Sequence, residues 1–511
     1  MRFRTANGNP MKPNILFITS DQQHWNTIGA YNKEIKTPNL DRLVNAGTCF
    51  KRAYTVNPTC TPTRASFITG KYPSQHGAWT LGTKLMENEY TIGNQLTANN
   101  YRTALVGKAH FQPLRGTEKY PSLESYPIMQ DLEFWKKFTG GFYGFDTIRL
   151  ARNHTTEAHV GQHYAIWMEK NGLKNWRDYF CPPTGNLGKD AKRLWKIPER
   201  FHYDAWIADE TNNLLQSYKE KNENFFLWAS FFDPHPDYFV PEEWVSMYDP
   251  DKLTVPKIAE GELEKASPFV KLTQEKNPDT SIYKRSGNFL GGLHTHLIEP
   301  EEQKKDVAIY YSMISLMDKY IGSILDKLDE LGLTENTLII FTTDHGHFIG
   351  QHGLILKGPF MYEDMIKVPW IVSYPGHVPA GRVSDAIQSA VDIVPTVLDY
   401  CGMEKTDGIA GISQKDVWNG DLEKIRNYAI CEHNHERNSI YIKTYICERY
   451  KISVFLNMDY GEIYDLESDP DELNNLWDNP EYLNLKSSLL VKFMQGTMES
   501  EPDFMPRIWG A

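Results

Sequence analysis

The chain has 511 residues and a net charge of −12, with 41% hydrophobic and 23% charged residues. That length exceeds what one compact core holds, so two packed units are expected, one large and one small. The acidic balance argues against nucleic acid or an anionic membrane as partner, and no apolar run approaches the ~18 residues of a membrane span.

Residues 1–11 read as a flexible leader without the apolar core of a signal peptide. The six cysteines include no C-x-x-C pair, which fits reduced thiols in a cytoplasmic protein. Residues 14–20 form a continuous apolar run that stops at Asp21-Gln22, the pattern of a strand buried on both faces. Thr37-Pro38 opens an amphipathic helix. The segment Cys60-Thr61-Pro62-Thr63-Arg64 precedes a helix that Gly70 closes. A strand over 103–106 runs into Lys108 and His110. Residues 115–220 read as loops, glycine-rich turns and many aromatics. A buried strand at 225–232 ends before His235, and a long amphipathic helix is expected from Val307 to Leu331. Residues 337–343 repeat the logic of the first strand and end at Asp344-His345. A further strand at 369–373 and a helix from Asp392 follow. From about 420 short alternating strands and a final helix near 482–497 describe a smaller α+β unit. The expected division is a leader at 1–11, a catalytic domain at 12–418 and a C-terminal subdomain at 419–511.

Four apolar runs thus end in Asp21-Gln22, Lys108/His110, His235 and Asp344-His345. Open α/β sheets bind ligands outside the carboxyl ends of their strands, so these endings can share one crevice. Taken singly, each has a plainer reading: an Asp capping a helix, a Lys on a solvated loop, a His in a turn, and in Cys60 a buried structural thiol. Together they describe a chemistry. Asp21, Gln22, Asp344 and His345 suit one divalent cation. Arg64, Lys108 and Lys357 suit a tetrahedral oxyanion, and His110 and His235 suit proton transfer near neutral pH.

These residues carry a resemblance. The chain resembles the type I sulfatases of the alkaline-phosphatase-like superfamily through Asn14–Ile18 with Asp21, Thr37–Leu43, Cys60-x-Pro62-x-Arg64 with Thr69-Gly70-Lys71, and Gly107-Lys108-x-His110. Pro234-His235-Pro236, Asp344-His345-Gly346, Lys357 and the tail Tyr464–Leu476 extend it nearly end to end. It implies an α/β fold with a large mixed, mostly parallel sheet sandwiched by helices, and a C-terminal α+β subdomain with an antiparallel sheet. It also implies that a formylglycine-generating maturation enzyme oxidises Cys60 to Cα-formylglycine. The hydrated aldehyde carries two hydroxyls: one attacks sulfur and releases the alcohol, and deprotonation of the other lets the sulfated adduct collapse. In this scheme Arg64 orients residue 60, Lys108 and Lys357 hold sulfate oxygens, His110 assists the collapse and His235 protonates the leaving oxygen. One cation, Ca²⁺ first with Mn²⁺ or Mg²⁺ as alternatives, is held by Asp21, Gln22, Cys60, Asp344 and His345.

Many members carry Asp-Asp and Asp-Asn where this chain has Asp21-Gln22 and Asp344-His345. The Gln and His forms resemble choline-sulfatase-like and phosphonate-monoester-hydrolase-like branches. Retention of Lys108 and His110 favours sulfate monoesters, with an aryl, sugar or choline-type alcohol, over phosphonates or phosphodiesters. A catalytically silent anion- or glycan-binding relative with unmodified Cys60 is the remaining alternative, and assembly as a homo-oligomer stays open. Outside this set, His159, His163 and the tryptophans at 135, 167, 176, 195 and 206 read as structural, and His294-Thr295-His296 as a solvated loop. His435 and Arg437 are weaker candidates for substrate contact.

Overall fold

A computed structural model describes residues 12–152, 159–180, 193–283, 291–436, 439–502 and 508–509 of the protein. The expected leader, Cys181 and Arg437 lie outside these residues. The main sheet has eight strands: β1 (Asn14–Ser20), β2 (Thr48–Phe50), β3 (Arg102–Lys108), β4 (Thr147–Ala151), β5 (Phe225–Ser230), β6 (Thr337–Thr343), β7 (Trp370–Ser373) and β8 (Arg382–Ser384). Their order is β8-β2-β7-β6-β1-β5-β3-β4. Only β7 runs against its neighbours; the other pairings are parallel.

The continuous apolar runs exist because both faces of this sheet are covered. In β1, Ile15 and Phe17 enter one core and Leu16 and Ile18 the other; in β6, Leu338 and Ile340 oppose Ile339 and Phe341. Side chains alternate across a strand, so two-sided burial removes the polar half of the pattern. One face lies under α1 (Pro38–Ala46), and α2 (Cys60–Thr69) belongs to the other. The first face also carries α3 (Tyr203–Lys221) and α4 (Pro300–Glu330), and the second carries α5 (Ile393–Tyr400).

Beyond residue 420, β9 (Tyr428–Glu436), β10 (Ile440–Cys447), β11 (Tyr450–Phe455) and β12 (Gly461–Asp465) form an antiparallel sheet in sequence order. Helix α6 (Leu483–Glu499) covers one face through Leu489 and Phe493. The architecture is the expected alkaline-phosphatase-like α/β fold. Strand β9 meets the loop before Cys60 directly: Glu432 N–H donates to Val56 O at 2.7 Å, and Asn57 Nδ2 donates to Glu432 O at 2.5 Å.

Two expectations are corrected. The stretch 115–220 is more ordered than its sequence suggests, holding edge strand β4 and the 19-residue α3. Its tryptophans are buried packing residues, as expected. In the segment 294–296, His296 is not solvated: its Nδ1 accepts the Ile355 N–H at 3.2 Å and its Nε2 faces Gly292 O at 3.0 Å. No helix among the described residues is long and apolar enough to cross a membrane.

Candidate active site

Parallel register brings the strand ends together. Ser20 pairs with Thr343 and Gly107 with Ser230, so Asp21, Asp344, Lys108 and the turn carrying His235 surround one crevice. Cys60 enters it as the first residue of α2, which converts the C-x-P-x-R spacing into geometry. Pro62 sits in the first turn, where a missing N–H costs nothing, and Arg64 follows one turn after Cys60 on the same side. Thr59 holds the entry by donating N–H and Oγ1 to Asn57 Oδ1 at 2.8 and 2.6 Å. Gly70 ends the helix in the left-handed region at φ 66°, where its N–H reaches Ser66 O. The partial positive charge of a helix N-terminus therefore falls on residue 60.

The Cys60 sulfur is fully buried. Lys357 Nζ lies 3.1 Å from it, His345 Nε2 3.2 Å, Asp21 Oδ1 3.6 Å and Lys108 Nζ 3.9 Å. Lys357 also approaches His235 Nε2 at 3.3 Å and His345 Nε2 at 3.5 Å. Arg64 donates Nε to Asp344 Oδ2 at 2.8 Å, and its other arm reaches Ser230 Oγ at 2.7 Å and Lys108 O at 3.0 Å. Lys108 forms a close ion pair with Asp21. Arg64 is thus a brace that ties three strand ends to the helix bearing Cys60, as well as a charge.

Burial opposes ionisation of Asp21, but Lys108, His235, Arg64 and Lys357 outweigh it and hold the carboxyl well below the usual carboxylate range. Burial, then Asp21, push the Cys60 thiol up against the pull of Lys108 and Lys357. Burial pushes His345 down to about 4 although Asp344 pulls the other way, so its ring is neutral at pH 7. Its Nδ1 faces Gly346 O at 2.9 Å, which assigns the proton there and leaves the Nε2 lone pair aimed at the crevice.

The donor set fits a divalent cation. One ligand atom each from Asp21, Cys60, Asp344 and His345 lie within 4.8 Å of one another, all buried. Gln22 adds a side-chain oxygen that is buried without a hydrogen-bond donor, whereas its backbone carbonyl is occupied by Tyr310 Oη at 2.9 Å. Gln22 stands at φ 63°, a left-handed conformation that few non-glycine residues adopt. Its N–H donates to Asp344 Oδ1 at 3.0 Å, which fixes the loop across the two strands.

His110 approaches from another wall. Its N–H donates to Glu124 Oε1 at 2.8 Å, and its Nδ1 is buried without a hydrogen-bond partner. Burial, then Arg152 and Lys108, push it well below the usual imidazole range, so it is a neutral base. No hydrogen bond of the described residues joins its ring to Cys60. Sequence reasoning missed Arg152 and Glu124, which pair at 3.2 Å, and Ser230, which braces Arg64. A usable signal was present: Thr147–Ala151 is another apolar-rich run ending in a charged residue. His435 holds Gly291 N–H at 3.0 Å, which places it against the loop beside Lys357.

Fold and site define an alkaline-phosphatase-like hydrolase with a buried Asp/Cys/His cluster suited to a metal. The sulfatase family model matches residues 13–403, and the chain belongs to that family. A second model, of the C-terminal part of N-sulphoglucosamine sulphohydrolase, matches residues 350–499. An arylsulfatase of Clostridium perfringens is 28% identical over 506 residues, covering 96% of each chain. An N-acetylglucosamine-6-O-sulfatase of Bacteroides thetaiotaomicron is 26% identical over 97% of this chain and 88% of its own length. Among solved structures, the phosphonate monoester hydrolase of Agrobacterium radiobacter superposes with a TM-score of 0.77 at 24% identity, covering 96% of each chain.

Proposed function

We propose that this sulfatase hydrolyses a sulfate monoester, with an aryl or sugar alcohol as leaving group, through a hydrated formylglycine at position 60 and one divalent cation. The observation that carries the reading is the surround of residue 60: two lysines, a neutral imidazole and an aspartate within 3.9 Å of the sulfur, at a helix N-terminus. As a thiol, Cys60 is a poor nucleophile here, because burial and Asp21 keep it protonated. An aldehyde hydrate in its place has a hydroxyl for attack and a second one for release.

In the proposed sequence, one hydroxyl of residue 60 loses its proton to solvent and attacks sulfur as the alkoxide, the S–O bond to the alcohol breaks, and a protonated His235 delivers a proton to the departing oxygen. Lys108, Lys357 and the α2 N-terminus bind the sulfate oxygens and stabilise charge as it moves. The neutral His110 then takes the proton of the second hydroxyl; the C–O bond to sulfate breaks, the aldehyde re-forms and water hydrates it again. Asp21, Gln22, Asp344, His345 and residue 60 would hold a divalent cation, whose charge would offset the two aspartates and lower the pKa of a nearby hydroxyl. Cys60, Pro62 and Arg64 are fully buried in the folded chain, so a maturation enzyme reads this segment before folding closes over it.

One second reading has support from the site. Gln22 and His345 are neutral groups, and a phosphonate monoester or phosphodiester presents the same single negative charge on a tetrahedral centre as a sulfate monoester. Comparing kcat/KM for an aryl sulfate, phenyl phosphonate and a phosphodiester separates the two; the sulfate ester is expected to be best by a wide margin. The mass of the tryptic peptide Ala53–Arg64 from native-source protein is expected to show an aldehyde at residue 60. Cys60→Ala is expected to abolish turnover with the thermal transition unchanged. Turnover near wild type in that variant would remove the formylglycine mechanism.

A further inference from the structure

Behind the turn that carries His235 lies a second group of metal-binding side chains. His202 caps α3, its Nδ1 accepting the Asp204 N–H at 3.3 Å; Asp204 lies in the first turn of that helix, and Asp233 follows β5. All three side chains are fully buried. One ligand atom from each lies within 4.8 Å of the other two. Tyr203 Oη donates to Asp233 Oδ1, but among the described residues no N–H or O–H of another group reaches Asp233 Oδ2 or either Asp204 carboxylate oxygen; the two carboxyls face each other instead. Among the described residues no lysine or arginine pairs with either carboxylate; the one ionic neighbour is His202 itself, 3.6 Å from Asp204 Oδ2.

We propose that His202, Asp204 and Asp233 form a second, fully buried divalent-cation site, distinct from the one at residue 60. Two carboxylates side by side in a dry core need compensating positive charge. The two buried carboxyls face each other across less than 4.8 Å with three oxygens that no donor of the described residues reaches, so the pair attracts a proton or a metal ion. One shared proton bridges a single pair of oxygens and leaves a negative charge and an orphan acceptor. A divalent ion neutralises both groups and takes oxygens from both. An imidazole with two carboxylates, and a tyrosine hydroxyl alongside, suits Zn²⁺ or Mn²⁺ better than an all-oxygen Ca²⁺ cage.

The ion is a structural anchor. It fixes the start of α3 to Asp233, whose backbone oxygen accepts the Asp21 N–H at 3.1 Å and which lies two residues before His235. It therefore ties a helix on one face of the sheet to two residues of the crevice. This inference does not depend on the substrate or on the state of residue 60.

Metal content by plasma mass spectrometry, on full-length protein purified without chelator from zinc- and manganese-supplemented cells, tests it. Wild type is expected to hold two equivalents, Asp344→Asn one and Asp204→Asn one. A wild-type content of one equivalent, an Asp344→Asn content of zero, or an Asp204→Asn content equal to wild type each overturns the proposal in favour of a proton-sharing carboxyl pair. Should Asp204→Asn fail to fold, wild type and Asp344→Asn still decide. Stoichiometry is read without turnover, so a failure here leaves the hydrolytic reading untouched.

Discussion

His235 shows how one side chain is aimed by its neighbours. Its Nδ1 bonds the carbonyl of Pro236 and its Nε2 faces Lys357 Nζ at 3.3 Å, so the ring presents one nitrogen to the crevice. A general acid matters most when the leaving oxygen is strongly basic. His235→Ala is therefore expected to slow esters of alkyl or sugar alcohols by roughly 10²–10⁴-fold, and esters of acidic phenols far less. Steady-state rates across a series of leaving groups check this; an equal loss for every ester would remove His235 from the proton-transfer role. The residue types of the site were legible in the sequence because each needs a specific functional group. Their charge states were not. That Cys60 is a protonated thiol and His345 a neutral ring follows from burial and from charges brought in from strands hundreds of residues apart.

At the scale of elements, β3 meets β5 at Gly107 and Ser230, where a side chain has no room. Gly107 has φ 106°, and a Cβ there would lie 1.9 Å from the Ser230 carbonyl oxygen. Gly107→Ala is expected to destabilise by more than 1 kcal/mol, since it adds backbone strain to a clash that neither strand relieves. It also shifts Lys108 and the Ser230 brace on Arg64, so kcat/KM is expected to fall together with the thermal midpoint. Turnover unchanged at a lowered midpoint would show that strand spacing does not set the Lys108 position. The central strands were legible because two-sided burial writes them as continuous apolar runs. Edge strand β4 was fainter, because two of its five residues, Thr147 and Arg149, are partly exposed and interrupt the apolar run. Strand β9 reads as polar because Glu432 there is committed to Lys443 at 2.7 Å and to Ser74 at 3.0 Å.

Across the whole molecule, three histidines far apart in sequence are buried as neutral rings. His76 accepts the Ala78 N–H at 3.1 Å, His163 accepts the Leu150 N–H at 3.1 Å and His296 accepts the Ile355 N–H at 3.2 Å. Burial pushes each down to about 3 from an ordinary value near 6.5. Between those values the unfolded chain binds more protons than the folded one at each of these rings, so the stability they contribute falls as pH falls. The loss begins below 6.5, runs at about 1.4 kcal/mol per pH unit for each histidine, and is complete near 3. Below pH 6.5 the urea midpoint of wild type is expected to fall further than that of His163→Gln, which lacks one of these rings, while the two run parallel from pH 8 to 7. Asp233 and Glu472, raised to about 7, and Asp318, raised to about 6, act with the opposite sign in both chains and cancel in the difference. A difference that stays constant down to pH 5 would mean that His163 is charged in the folded protein.

The sequence by itself determined the strand endings, the C-x-P-x-R turn and the set of groups that chemistry at an anionic ester needs, since these depend on residue type and short-range spacing. Only the tertiary structure decided which of them meet. It gathered Asp21, Cys60, Asp344 and His345 within 4.8 Å, showed that Arg64 is a brace, and exposed a second cluster at His202, Asp204 and Asp233. Parallel strands place their carboxyl ends at one edge whatever lies between them in the chain. Proximity, burial and the charge states that follow from them are therefore properties of the sheet, not of any local stretch of sequence.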